Sequence, residues 1–442
     1  MGKCPSASTV LIVLVMIVSH ETTLSPFDCT LGTHRMTDRT GNNLARATDL
    51  ATANSATRST GQRSHVLLTG ATGLLGRYLM RDLAEQNVPL AVLVRPSRKA
   101  DPRQRIAAMR ADWAARGYDV PAPKVLAGDI LSENLGLSGE DRMWAAEHCD
   151  TLLHNAASLS FVSTGRHSEP WRSNIDGTSN VLSFCSDAAI RNFHHVSTAY
   201  IAGKRTGVAL ESELDVGQEF GNPYEESKCE AEKMVKSSDS LDTVTTFRPG
   251  IIIGDSETGF TSTFHNIYAF LQIAHTMLPV AKWEEDTGRP NAGHYRFAMG
   301  ANACKHLVPV DWVSAAMAHI VARPKLHGST YHLTPRVPIR VTLLRDMVEE
   351  ALGYYGVRVT DEDVNIDEQD EFVKLFMEQQ KVYDSYWRDD PRFDDTNTRA
   401  AVPFPCPHVD RQMLVKLAHA AIAMKFRHND PKPETRPQPA TV

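Results

Sequence analysis

From His65 onward the apolar and polar positions switch between two periods. Val66, Leu67 and Leu68 form an unbroken apolar run closed by Thr69, the pattern of a strand buried on both faces. Leu75, Leu79 and Leu83 then recur at every fourth position, the pattern of a helix with one apolar stripe. This exchange repeats down the chain. Strands are predicted over 89–95, 124–129, 150–155, 191–197 and 243–248. A helix is predicted from Asn174, with Val181, Phe184, Cys185 and Ala188 on one face, and another over 224–236. Strands alternating with helices predict an α/β fold, a doubly wound parallel sheet with helices on both faces.

Beyond Gly259 the rhythm changes. Residues 260–278 are rich in Phe, Tyr, His and Met and show no clean strand. A helix follows PVDW within 307–320, a short strand suits 329–334, and an amphipathic helix suits 341–352. Residues 361–394 are acidic and aromatic, and 412–426 suit a last helix. The expected organisation is a dinucleotide-binding domain at 63–258 and a smaller mixed α/β substrate lobe at 259–428. A proline-rich tail at 429–442 is expected to be disordered.

The segment 1–62 is expected to be disordered around one short apolar stretch, TVLIVLVMIV at 9–18. That stretch is too short for a membrane span, which needs about 20 apolar residues. It has the length of a signal-peptide core, yet no small-x-small cleavage site follows Val18. Met36 offers a second start shortly before the fold. The expectation is a cytoplasmic protein without membrane contact, the stretch reflecting an upstream start or a vestigial anchor.

Composition narrows the classes. Of 442 residues, 42% are hydrophobic and 23% charged, which suits a globular chain with a large core. A net charge of -6 makes no electrostatic case for nucleic acid. The seven cysteines are scattered without a CxxC pair, so reduced thiols and no metal site are expected.

The chemistry starts at Gly70, Gly73 and Gly76. Between a strand and a helix these allow a tight turn, a close backbone approach to a pyrophosphate and close helix packing. Thr72, Leu74 and Leu75 complete the loop and the helix start, whose free amides and dipole favour an anion. An acidic residue after the second strand would select NAD. This chain has Arg95 there, with Arg98 in support, so NADP(H) is the expected cofactor through a guanidinium on the 2′-phosphate. Tyr224 and Lys228 lie four apart in YEESK, on one face of a helix. An ammonium near a phenol favours its ionised form, which predicts a lowered Tyr224 pKa.

TGATGLLG, LVR, HNAA, HHVSTAY, YEESKCEAE and FRPGIIIGDSETG followed by PVDW resemble the extended short-chain dehydrogenases/reductases. Within them the wording is most similar to the male-sterility, fatty acyl-CoA reductase and thioester reductase branch. The resemblance covers 64–255 motif by motif. It implies that Thr198 binds the substrate carbonyl, Tyr224 and Lys228 are catalytic, and Asn174 supports the lysine. It places Asp129 and Ile130 at the adenine, and Asn155, Ala156 and Ala157 along the ribose and pyrophosphate. It sets Arg248, Pro249, Gly250 and Ile251 beside the nicotinamide. The implied activity is NADPH-dependent reduction of an acyl thioester, on coenzyme A or a carrier protein, to an aldehyde or alcohol. A homo-oligomer is compatible with it. Two other readings stay open: a nucleotide-sugar epimerase or dehydratase using NAD, and a regulator that senses NADP without turnover.

Overall fold

The computed structural model describes residues 63–98, 100–280, 295–362, 371–381 and 387–427. The apolar stretch at 9–18, the remainder of 1–62, the proline-rich tail and part of 361–394 lie outside the described residues.

Seven parallel strands form the central sheet. They are β1 (His65–Thr69), β2 (Leu90–Val94), β3 (Lys124–Ala127), β4 (Cys149–His154), β5 (Asn192–Val196), β6 (Thr243–Pro249) and β7 (Thr330–Leu333). Their order is β7-β6-β5-β4-β1-β2-β3. The chain winds outward from β1 to β3, returns to β4 on the other side of β1, and winds outward again. That reversal opens a crevice beyond the carboxyl ends of β1 and β4, where such sheets bind ligands. In register, Leu67 lies between Ala91 of β2 and Leu152 of β4.

The unbroken apolar runs are explained by burial on both faces. Leu67 and Leu68 are both fully buried, and they point to different cores. Leu68 packs with Tyr78, Leu79, Val92 and Leu153 on one face. Leu67 packs with Leu126, Leu152, Val181 and Phe193 on the other. The described α-helices are α1 (Leu74–Glu85), α2 (Pro102–Ala115), α3 (Gly139–His148), α4 (Gly177–Asp187), α5 (Pro223–Lys236), α6 (Ile267–Met277), α7 (Val310–Val321), α8 (Val341–Leu352), α9 (Glu371–Gln380), α10 (Thr396–Ala401) and α11 (Arg411–Ala423). Helix α5 begins where its sequence directs. Asn222 accepts from the Glu225 amide at 3.0 Å, Pro223 occupies the first turn, and Lys233 and Lys236 close the last. The helix expected from Asn174 opens with a wider turn, Arg172–Asp176, before α4.

The segment expected to form the substrate lobe also returns to the sheet. The short strand foreseen near 329–334 is β7, which pairs with β6 with Thr330 opposite Thr246. Helix α7 packs on α1. A strand of four residues cannot bury its apolar face alone, and the free edge of β6 supplies the partner. The rest of this region pairs Leu307–Pro309 with Ile251–Ile253 and carries α6 and α8. Among the described residues no helix is long and apolar enough to cross a membrane.

Candidate active site

At the carboxyl ends of the central strands lies a cavity of about 470 Å³. Of the residues singled out by sequence, Gly70, Thr72, Gly73, Leu74, Leu75, Arg95, Asp129, Ile130, Asn155, Ala156, Ala157, Thr198, Tyr224, Lys228, Pro249, Gly250 and Ile251 line it. Residues from six strand ends, separated by up to 181 positions, therefore face one space. Gly76, Arg98, Asn174 and Arg248 do not line it.

The glycine loop is shaped by contact. Gly70 has φ +69°, and a Cβ there would stand 2.8 Å from the Ala156 nitrogen. A Cβ on Gly76 would lie 2.1 Å from the Gly70 carbonyl oxygen, so the third glycine seats α1 against the turn. Gly73 is the N-cap of α1 and brings no side chain to cap the helix, and the first turn carries no acid. The opening amides of α1 are left for an anion in the cavity, which is the donor set a pyrophosphate requires. Thr69 ties the loop to β4. Its Oγ1 accepts from the Asn155 and Ala156 amides, each at 3.1 Å, and bonds His154 Nδ1 at 2.8 Å. Burial, aided by the Lys228 charge, holds His154 down at about 3, so it is a neutral structural link.

Arg95 stands exposed at the end of β2 and lines the cavity. Arg98 sits on the exposed turn beyond. Sequence reading passed over Arg105, in the first turns of α2. Its Nη2 donates to Thr72 Oγ1 at 3.0 Å and its Nη1 to the Arg95 carbonyl at 2.9 Å. The available signal was the capping box Asp101 and Gln104, which fixes the start of α2 beside the loop.

The Thr198 hydroxyl donates to the Pro249 carbonyl at 3.4 Å and stands beside the Tyr224 phenol, whose pKa it lowers. Thr198 also accepts from the Tyr200 amide at 3.2 Å, capping the turn Ala199–Ala202. Lys228 Nζ donates to the Val196 carbonyl at 2.7 Å. Asn174 is buried behind these groups. Its Nδ2 donates to Ser227 Oγ at 2.9 Å and its Oδ1 accepts from the Ser158 amide at 2.8 Å. Ser227 in turn donates to the Tyr224 carbonyl at 2.9 Å, so Asn174 braces the helix turn that bears Tyr224 and Lys228.

Burial pushes the Tyr224 phenol up to about 12, against the Thr198 hydroxyl and with help from Glu225. Burial pulls Lys228 down to about 8, against the Glu232 carboxylate. The lowered Tyr224 pKa expected from sequence is therefore corrected. Removal from water dominates the phenol, and the ammonium is engaged by the Val196 carbonyl.

Arg248 is a second correction. Expected beside the nicotinamide, its guanidinium is buried away from the cavity and gripped by Glu232 at 2.6 Å and 3.0 Å. Alternation along β6 explains this: Pro249 faces the cavity, so the preceding side chain points away. The cavity is also lined by Phe161, Tyr200, Thr263, His265, Asn266 and Tyr268, which sequence reading left unassigned. Most lie beyond Gly259, where no periodic pattern marks their facing.

The sequence matches the model of the male sterility protein NAD-binding family over residues 68–317. A nonribosomal peptide synthetase, asaC, of Aspergillus flavus is 29% identical over 307 residues, covering 65% of this chain and 28% of that protein. The aldehyde reductase lnaA of the same organism is 28% identical over 292 residues, covering 61% of this chain and 25% of that protein. The matched region thus spans about a quarter of the length of these relatives. Among solved structures, the terminal R domain of the myxalamid PKS-NRPS pathway superposes with a TM-score of 0.66 at 25% identity, covering 84% of this chain and 94% of that one.

Proposed function

The chain belongs to the male sterility protein family of NAD-binding domains, an extended short-chain dehydrogenase/reductase branch, and from that premise we propose that it reduces an acyl thioester with NADPH. One observation carries the reading: Thr198, Tyr224 and Lys228 share a single cavity with the uncapped start of α1. Residues 63–258 would hold the cofactor, and residues from 259–428 would close over the acyl group.

The amides of Leu74 and Leu75 would take the pyrophosphate, and Asp129 with Ile130 the adenine. Arg95 and Arg105 would meet the 2′-phosphate, which favours NADPH over NADH. When bound, the nicotinamide supplies a hydride to the carbonyl carbon. Thr198 and Tyr224 then donate hydrogen bonds to the carbonyl oxygen, where negative charge grows. Tyr224 delivers the proton that this oxygen takes up. Its raised pKa keeps the phenol protonated and able to do so. Lys228 holds the nicotinamide ribose, and Asn174 keeps the Tyr224–Lys228 turn in place. The hemithioacetal so formed breaks its C–S bond, releasing the thiol and an aldehyde. The similarity to synthetase and R-domain chains supports a pantetheine thioester, free or on a carrier protein, as the substrate. The absence of an acid at the end of β2 disfavours an NAD-holding epimerase.

The test follows NADPH oxidation and free thiol together across acyl-CoA and acyl-carrier substrates. Tyr224→Phe is expected to lower turnover by about 10²–10³ with NADPH binding retained. Activity on a nucleotide sugar with no thiol released from any thioester refutes the proposal.

A further inference from the structure

A short stretch late in the chain grips both elements that carry the hydroxyls of Thr198 and Tyr224. Thr198 caps the turn Ala199–Ala202, which Gly203 closes, and Tyr224 lies in the first turn of α5. The Tyr200 hydroxyl donates to Asp390 Oδ2 at 2.5 Å. Arg388 Nη2 donates to the Gly203 carbonyl at 3.1 Å and to both Glu225 carboxylate oxygens at 3.4 Å. The turn is thus held at two points and the helix at one, by residues more than 160 positions further along.

The stretch is itself fixed. Lys305 Nζ donates to Asp390 Oδ1 at 2.7 Å and to the Arg388 carbonyl at 2.5 Å. The Cys304 amide donates to Asp389 Oδ1 at 2.7 Å, and the Asp390 amide to the Cys304 carbonyl at 3.3 Å. Beyond Pro391 the Arg392 amide donates to the Gly207 carbonyl at 2.8 Å and the Asp394 amide to that of Ala209 at 2.9 Å. Both side chains of the Lys305–Asp390 pair are buried. Two buried charges lose their water, so such a pair adds little net stability. What it adds is a fixed carboxylate, whose second oxygen takes the Tyr200 hydroxyl.

The contacts pass directly to the two hydroxyls. The Tyr200 amide donates to Thr198 Oγ1, so the placement of Tyr200 reaches Thr198 through one bond. Glu225 Oε2 accepts from the Gly221 amide at 2.7 Å, and Asn222 Nδ2 donates to Oε1 at 3.2 Å. Glu225 thereby fixes the backbone just before Tyr224. Tyr200 lines the cavity, whereas Arg388 and Asp390 do not. Whatever these two contribute to the reaction, they contribute through Tyr200, Gly203 and Glu225.

We propose that Arg388 and Asp390 are positioning residues, which set the Thr198 hydroxyl and the Tyr224 phenol at the spacing that one carbonyl oxygen requires. Two donors serve one oxygen only when each lies about 3 Å from it. A displacement of about 1 Å is enough to cost about a hundredfold in rate. The region beyond Gly259 thereby acts on the chemical step through residues that touch neither substrate nor cofactor. This inference rests on the thioester reading, and its test separates the two.

Asp390→Ala would strand the buried Lys305 ammonium and endanger the fold. Tyr200→Phe is the cleaner variant, since it cuts only the bond to the turn and leaves Asp390 with Lys305 and the His306 amide. Arg388→Ala releases Gly203 and Glu225. In the full chain each is expected to lower kcat about tenfold, with KM and the NADPH dissociation constant within about threefold of the wild type. Arg388→Lys is expected to recover most of that loss. All three Arg388 contacts come from one nitrogen, and an ammonium offers three donors. Hydrogen exchange of the same proteins without substrate gives a readout independent of turnover. Exchange is expected to quicken at 199–203 and 221–225 and to stay at the wild-type rate in β1–β3. Unchanged kcat in both variants overturns the proposal. So does a fall in kcat matched by an equal loss of NADPH-binding sites, or one that Arg388→Lys does not mend. Where the wild type reduces no thioester, the thioester reading falls and exchange decides the brace by itself. Local quickening then supports it, and no change, or quickening throughout the sheet, overturns it.

Discussion

Arg105 lays the start of α2 across the glycine loop, its guanidinium joining Thr72 Oγ1 at 3.0 Å to the Arg95 carbonyl at 2.9 Å. Arg95 and Arg105 are thereby joined at the glycine loop, and both are proposed to meet a ribose 2′-phosphate. Loss of a charge-assisted bond to a phosphate costs about 1.5–3 kcal/mol, or about ten- to a hundredfold in affinity. Arg95→Ala and Arg105→Ala are each expected to weaken NADPH by that factor and NADH by less than about threefold. Titration of nicotinamide fluorescence measures both. Equal weakening for the two cofactors would mean that the arginines hold the loop and not the phosphate.

Arg248 is expected to behave differently from every residue that lines the cavity. Its partner Glu232 is buried in the same place, with Lys236 at 2.9 Å as a second cation. Arg248→Ala leaves a buried carboxylate short of its main partner, a change that typically costs about 3–5 kcal/mol. The melting temperature is expected to fall by about 10 °C with NADPH affinity of the folded protein near that of the wild type. Replacing both partners with Met and Leu is expected to recover most of that loss. A selective loss of NADPH affinity in Arg248→Ala without a thermal shift would restore the residue to the cofactor site.

What could be read from sequence followed from periodicity. The runs at Val66–Thr69, Leu90–Val94 and Thr243–Pro249 are buried on both faces and carry no competing pattern. The sheet and its glycine turn were legible for that reason. The residues near Thr198, Tyr224 and Lys228 were legible because short motifs hold them at fixed spacing. Two kinds of information were missing. Which way Arg248 points depends on its pairing with Glu232, 16 positions away, and spacing alone does not register that. The place of Thr330–Leu333 as the seventh strand depends on the free edge of β6, a tertiary fact. Likewise Asn266 reads as an ordinary helix cap. Only its backbone angles and unpaired oxygen set it apart.

His154, His194 and His332 make the fold sensitive to acid. Burial lowers each, His154 and His194 to about 3 and His332 to about 4, helped by the charges of Lys228, His327 and Arg248 respectively. These folded values lie below the unfolded one near 6.5, so the unfolded chain binds more protons from about pH 6.5 down to 3–4. Stability is full above that window and is lost as pH falls through it. His195 is likewise held well below its ordinary value by burial, and four such groups steepen the loss to about 5 kcal/mol per pH unit. Neither ring nitrogen of His194 has a partner, so an apolar replacement gives up no hydrogen bond. His194→Leu is expected to be at least as stable as the wild type at pH 7 and to lessen the acid slope by about a quarter. Urea midpoints measured from pH 7 to 4 decide it, and an unchanged slope would place the acid-sensitive groups elsewhere.

Lys228 and Tyr224 titrate in different ranges, and that fixes which of them shapes the pH profile of turnover. The phenol, held at about 12, stays protonated across the working range and keeps its proton to give. The ammonium, drawn down to about 8 by burial against the pull of Glu232, is the group that changes first. kcat/KM is therefore expected to be level from about pH 6 to 7.5 and to fall about tenfold per unit above 8, as the charge that holds the ribose is lost. This fall is not unfolding caused by the same lysine. The folded value lies below the unfolded 10.5, so between 8 and 10.5 the unfolded chain carries more protons and stability rises with pH. Thermal scans run beside the rate profile separate the two effects. Lys228→Arg is expected to lose rate but to carry its alkaline limb beyond pH 10, because a guanidinium does not deprotonate there. A wild-type limb near 10 or higher would instead assign the titration to Tyr224 and leave Lys228 a structural brace on the Val196 carbonyl.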